Sequence, residues 1–191
     1  MRLPLLYIIA ALLISCVSEK KNQKIQKVKA TNPAPTFNSD SAYVFVEQQV
    51  LFGPRVISSK AWDECSKYLS KKLESYNAEV KIQTAPVTTY DGKNHTLRNI
   101  IASYDPEKNN RVALFAHWDS RHIADHDTVD TDMPILGAND GGSGVGVLLE
   151  IARQINLKKP KIGIDIIFFD AEDYGQPENS NYPTMNDSWC L

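Results

Sequence analysis

The sequence lacks a strong charge of either sign. Its 21 Lys and Arg against 23 Asp and Glu leave a net charge of −2, which removes the electrostatic case for a nucleic-acid partner. It has few cysteines, three in 191 residues, too few for a disulfide-built scaffold; whether Cys65 and Cys190 pair stays open. Its apolar run Leu3 to Ile14 is too short to span a bilayer well, since a transmembrane helix takes roughly 20 residues. Gly141-Gly142-Ser143-Gly144 lacks the Lys of a P-loop and the spacing of the dinucleotide fingerprint. Asp125, Asp127, Asp130 and Asp132 lack the Gly and terminal Glu of an EF-hand loop, so they read as a solvated acidic loop. What remains is 42% apolar and 23% charged, a globular composition with room for one α/β domain and a real core.

The start of the chain reads as a targeting segment. Arg2 supplies a positive charge, Leu3 to Ile14 an apolar region, and Leu13-Ile14-Ser15-Cys16 resembles the bacterial lipobox. That resemblance implies residues 1–16 as a lipoprotein signal peptide, with Cys16 as the lipidated first residue of the mature protein. A plain signal peptide cut near Ser15 and an uncleaved anchor are the alternatives. Residues 17–40, Lys-rich early and Pro/Asn/Ser-rich late, read as a flexible tether. The expectation is a bacterial cell-envelope protein held to the membrane by lipid, facing the periplasm or in the outer membrane. The sequons at Asn94 and Asn186 then count as chance.

Within 41–191, Ser41 to Phe52 reads as a helix, with Ser39 or Asp40 as N-cap and Gly53-Pro54 as its stop. A second helix spans Ser59 to Tyr76, where Trp62, Cys65, Leu69, Leu73 and Tyr76 form one apolar face. Short strands follow around Val80 and Ile82 and around Val87 and Thr89, then a turn at Asp91-Gly92 and a strand from Thr96 to Tyr104. Arg111 to Ala116 reads as a buried strand and Ser143 to Leu157 as a helix. Ile162 to Phe169 reads as a strand buried on both faces. Strand, loop, helix and strand in that order make a crossover unit of a parallel sheet.

In such sheets, sites form beyond the carboxyl ends of the parallel strands. His117 and Asp119 follow one strand, Asp140 precedes the helix, and Glu172 and Asp173 follow the next strand. Adjacent carboxylates resist ionising together, so a positive partner is expected there. A His with several carboxylates is a hard-to-borderline donor set, which zinc suits. Asp119, two residues beyond His117, is placed to orient it. Taken singly, each has a plainer reading: a structural His117, an N-cap or turn Asp140, a solvated Glu172-Asp173 loop.

HWDSR at 117–121, PILGANDGGSGVGVLLEIAR at 134–153 and IDIIFFDAEDYG at 164–175 resemble the zinc-dependent glutaminyl cyclases, within a larger clan of zinc aminopeptidases. FGPR at 52–55 and RNIIASY at 98–104 resemble the bacterial members. The resemblance implies a three-layer α/β/α fold with a mixed, largely parallel central sheet, aminopeptidase/phosphorylase-like and incomplete at its C-terminus. It implies conversion of N-terminal Gln of peptides and proteins to pyroglutamate with release of ammonia. Asp140 and Asp173 would be zinc ligands and Glu172 the general acid/base. One zinc is implied, or two with His117 as a further ligand if the protein is of the aminopeptidase type. The resemblance also implies a downstream histidine ligand that His95, His122 and His126 do not match. The expectation is therefore a truncated sequence. The rival readings are a zinc aminopeptidase and an inactive surface lipoprotein with a binding role.

Overall fold

The structure is a computed structural model that describes residues 35–177 and residue 180. The leader with Cys16, most of the tether, Asn186 and Cys190 lie outside the described residues.

Helix α1 spans Ser39–Leu51. Its N-cap is Asn38, whose extended backbone lets the side chain accept from the Ser41 amide, and not Ser39 or Asp40 as expected. Asn and Asp cap equally well, so backbone conformation decides between neighbours. The helix buries Ala42, Phe45 and, unexpectedly for a polar residue, Gln49. Gln49 is retained inside because its Nε2 donates to the carbonyls of Phe45 and Gly142. Helix α2, Lys60–Ser75, is capped by Ser59 and buries Trp62, Cys65, Leu69 and Leu73, which is the expected apolar face. Full burial of a leucine contributes about 1.5–3 kcal/mol, and Leu69 and Leu73 are both fully buried. Among the described residues Cys65 has no disulfide partner, and burial pushes its thiol up to about 12.

Strand β1, Glu79–Thr88, is one continuous strand through Pro86 and not two short ones. It lies at the sheet edge, where the missing proline N–H breaks no ladder. It pairs antiparallel with β2, Asn94–Tyr104, across the expected Asp91-Gly92 turn. Strand β3, Arg111–His117, leads through a long loop to helix α3, Gly142–Leu157, and then to β4, Gly163–Phe169. The sheet order is β1-β2-β4-β3. The sheet is mixed, and β3 and β4 are parallel, with Leu114 opposite Ile166 and His117 opposite Phe169. β2 and β4 are antiparallel.

One core holds the described residues together. Ile100, Ala102, Ile166 and Phe168 on one sheet face pack with Phe45, Leu69, Leu73, Val145 and Leu149 from the three described helices. The helices thus lie on one face of the sheet, and the described residues form two layers. Two expectations about strand burial are corrected. β4 is not buried on both faces, since Phe169 is 40% exposed, and Phe115 of β3 is 67% exposed. A run of apolar residues reports that a strand is apolar on both sides, while burial also requires something to lie against each side.

Candidate functional site

The carboxyl ends of β3 and β4 sit side by side, and Trp118 N donates to Phe169 O at 3.0 Å just beyond them. The loops leaving these two strands therefore start from the same place. His117 is the last residue of β3. Its Nε2 lies 2.9 Å from Asp140 Oδ1, and its Nδ1 3.4 Å from Asp119 Oδ1 and 3.6 Å from Glu172 Oε2. Asp119 is buried, and its second oxygen accepts the Asp173 main-chain N–H at 3.0 Å. Three carboxylates thus surround one imidazole. The hydrogen bond to Asp119, helped by the other carboxylates, raises His117 to about 9. Burial and the negative charges of Asp140 and Asp119 push Asp173 up to about 6. The carboxylates contribute to both shifts, directly at His117 and second to burial at Asp173, and a cation would relieve their mutual repulsion.

Two residues with positive φ shape the turns around this cluster. Asp140 does not cap α3; that place falls to Gly141, with no side-chain cap bond. Gly141 has φ 75°, and a Cβ there would lie 2.8 Å from Asp119 O and 3.0 Å from His117 Cε1. Only glycine lets the chain turn so close to the imidazole. Ala171, between Asp170 and Glu172, has φ 64°, a left-handed conformation costly for a residue with a side chain. This turn points Glu172 outward, its side chain 62% exposed, while the Asp173 side chain is 12% exposed.

His117, Asp140 and Asp173 offer ligand atoms that all lie within 4.8 Å of one another. Asp173 Oδ2 is buried and has no hydrogen-bond partner among the described residues. A carboxylate with an orphaned oxygen, grouped with an imidazole and a second carboxylate, fits a zinc ion's preference for N and O donors. The acidic loop does not gather in this way. Asp125 is held by Arg121 at 2.6 and 2.7 Å, and Asp127 accepts from the amides of Thr128 and Val129.

Asp170, Tyr174 and Arg55 lie in the motifs quoted above, but nothing in the sequence assigns them a supporting role. Asp170 is buried and accepts from Trp62 Nε1, Arg98 N and Ala171 N. Burial raises it to about 7 against those donors. Tyr174 stacks on His122 at 4.0 Å, and Tyr90 Oη lies 2.8 Å from His122 Nε2. Arg55, fully buried, donates to the carbonyls of Trp118, Leu136 and Gly137. A buried arginine can be found in sequence only as part of a motif, as FGPR was; its position beneath the site cannot.

Residues 99–187 match the sequence model of Peptidase family M28. A Zn-dependent exopeptidase from Parabacteroides distasonis is 56% identical, with a TM-score of 0.79 over 83% of this chain and 55% of that one. Tannerella forsythia glutaminyl cyclase is also 56% identical, with a TM-score of 0.77 over 82% of this chain and 54% of that one. Bacteroides thetaiotaomicron glutaminyl cyclase bound to N-acetylhistamine is 52% identical, with a TM-score of 0.79 over 83% and 55%. The resemblance to zinc glutaminyl cyclases and their exopeptidase relatives therefore extends to the α/β fold. The chain spans about half the length of these solved structures and about a third of the curated relatives it matches.

Proposed function

We propose that the protein is a zinc-dependent glutaminyl-peptide cyclotransferase, closing the N-terminal Gln of peptides to pyroglutamate. The observation that carries this reading is the pairing of an outward-facing Glu172 with the inward-facing Asp173, beside Asp140, in a chain 56% identical to a glutaminyl cyclase. Asp140 and Asp173 would hold zinc. When bound, zinc supplies Lewis-acid polarisation of the substrate γ-carbonyl.

The remaining chemistry belongs to the chain and the substrate. The substrate's α-amine forms a C–N bond to its own γ-carbon, and the bond from that carbon to the amide nitrogen breaks. Glu172, exposed at the rim, takes the proton from the amine and returns it to the departing nitrogen, which leaves as ammonia. Asp119 holds His117 and the Asp173 amide, which fixes the spacing between the two strand ends. The test is ammonia release from a Gln-initiated peptide beside cleavage of a Leu-initiated one. Ammonia release alone supports the reading, and cleavage alone replaces it with the aminopeptidase.

One observation favours that second reading. His117 joins Asp140 and Asp173 as a third donor, and Asp140 is exposed enough to be shared by two ions. Metal stoichiometry separates the readings: one zinc per chain for the cyclase, two for the peptidase.

We also infer that Cys16 carries lipid and holds the protein at a bacterial envelope membrane. The support is the short apolar run ending at Ser15-Cys16. Among the described residues no helix is long and apolar enough to cross a membrane.

A further inference from the structure

Arg55 stands where no charge is expected. It is fully buried, yet among the described residues its guanidinium makes no salt bridge. Its hydrogen bonds go instead to main-chain carbonyls: Nε to Trp118 O at 2.9 Å, Nη1 to Leu136 O at 2.8 Å and Nη2 to Gly137 O at 2.7 Å. Its own backbone clasps the same loop, with N donating to Ser120 Oγ at 2.8 Å and O accepting from Ser120 N at 3.3 Å. Arg55 therefore grips the β3 loop on both sides of Asp119. With the other fork of its guanidinium it grips the segment that leads to Asp140.

The second grip is continued to Asp140 by a closed turn. Gly137 O accepts from Arg55 Nη2 and also from Gly142 N at 3.1 Å, so residues 137–142 form a loop anchored on one carbonyl. The packing there has no slack. A Cβ on Gly137 would lie 2.9 Å from Arg55 Nη2 and 2.9 Å from Asp140 O. A buried cation is costly and survives only when its donors are satisfied. A hydrocarbon of similar size would fill the space without that cost, but it could not join two loops. A lysine keeps the charge as a single point and loses the rigid fork that spans them.

We infer that Arg55 is a positioning residue for the metal site: it sets the separation between the start of the loop after β3, where Asp119 holds the Asp173 amide, and Asp140 on the loop before α3. This rests on the reading of Asp140 and Asp173 as zinc ligands. Groups that orient ligands from behind typically change metal affinity by about 10- to 100-fold when removed.

The experiment measures zinc affinity of the full apoprotein by chelator competition, alongside its melting temperature. Wild type, Arg55→Lys, Arg55→Ala and Asp140→Ala are compared. The expected result is zinc binding about 10- to 100-fold weaker in Arg55→Lys, and recovery of binding in Arg55→Ala when sub-denaturing guanidinium is added. A purely structural arginine would lower the melting temperature and leave zinc affinity alone, and that result overturns the inference. So does a failure of guanidinium to restore binding. Wild-type affinity in Arg55→Lys, with binding lost in Asp140→Ala, overturns the positioning role while the ligand reading stands. Wild-type affinity in Asp140→Ala overturns the ligand reading and the positioning role together.

Discussion

The main-chain N–H of Asp173 donates to Asp119 Oδ2 at 3.0 Å, across the gap between two loops. The other oxygen of Asp119 faces His117. One buried carboxylate thus ties the end of β3 to the turn after β4. Asp119→Asn keeps the size but offers one acceptor instead of two, and its amide group must face either His117 or a backbone donor. A loss of about 10- to 100-fold in kcat/KM is expected, with secondary structure unchanged by circular dichroism. Steady-state kinetics on a Gln-initiated peptide check this, and full activity would remove Asp119 from the site.

Glu172 makes no contact closer than 3.6 Å to His117 among the ion pairs described, and its side chain is largely exposed. Glu172→Gln should therefore leave zinc content and melting temperature as they are. Turnover should fall by about 10²- to 10⁴-fold, the usual range for a lost proton shuttle. Metal analysis and ammonia release on the same sample decide the matter. A variant that still turns over normally ends the assigned role.

Asp170 links pH to stability. Burial raises its carboxyl to about 7 from an ordinary value of 3.8. Between about 4 and 7 the folded chain keeps a proton that the unfolded chain has released. The stability from this group is complete below about 4 and is lost as pH rises through 7, by at most about 1.4 kcal/mol per pH unit. Asp170→Asn removes the titration. Urea midpoints between pH 4.5 and 7.5 should fall with pH more steeply in wild type than in the variant. Parallel curves would show that Asp170 is not the group responsible.

Cys16 is tested in cells. Cys16→Ser should abolish incorporation of an alkyne-labelled fatty acid and shift the protein from the membrane to the soluble fraction. Retention of the variant on membranes would mean that the leader, and not a lipid, holds the protein.

The order of strand, loop, helix and strand could be read from sequence because each element carries its own period. The gathering of His117, Asp140 and Asp173 followed from that order, since a parallel pair brings its carboxyl ends together. What could not be read depends on contacts far along the chain. Trp62 meets Asp170 across 108 positions, Arg55 meets Gly137 across 82, and Gln49 meets Gly142 across 93. Gln49 looks like the polar side of a helix and Asp170 like the end of a strand. Only the packed fold gives each the donors or acceptors that justify burial. Phe115 erred in the opposite direction, because an apolar strand residue does not reveal whether its face is covered.

The loop before α3 also limits how this protein can vary. At 137, 141 and 142 an added methyl group would come within 2.5–2.9 Å of backbone or of the Ser120 side chain. A saturation library over 137–142 should be nearly closed at three of its positions, whatever chemistry is selected. Variation would have to enter elsewhere, through the largely exposed 126–136 stretch, where side chains can change without moving His117, Asp140 or Asp173.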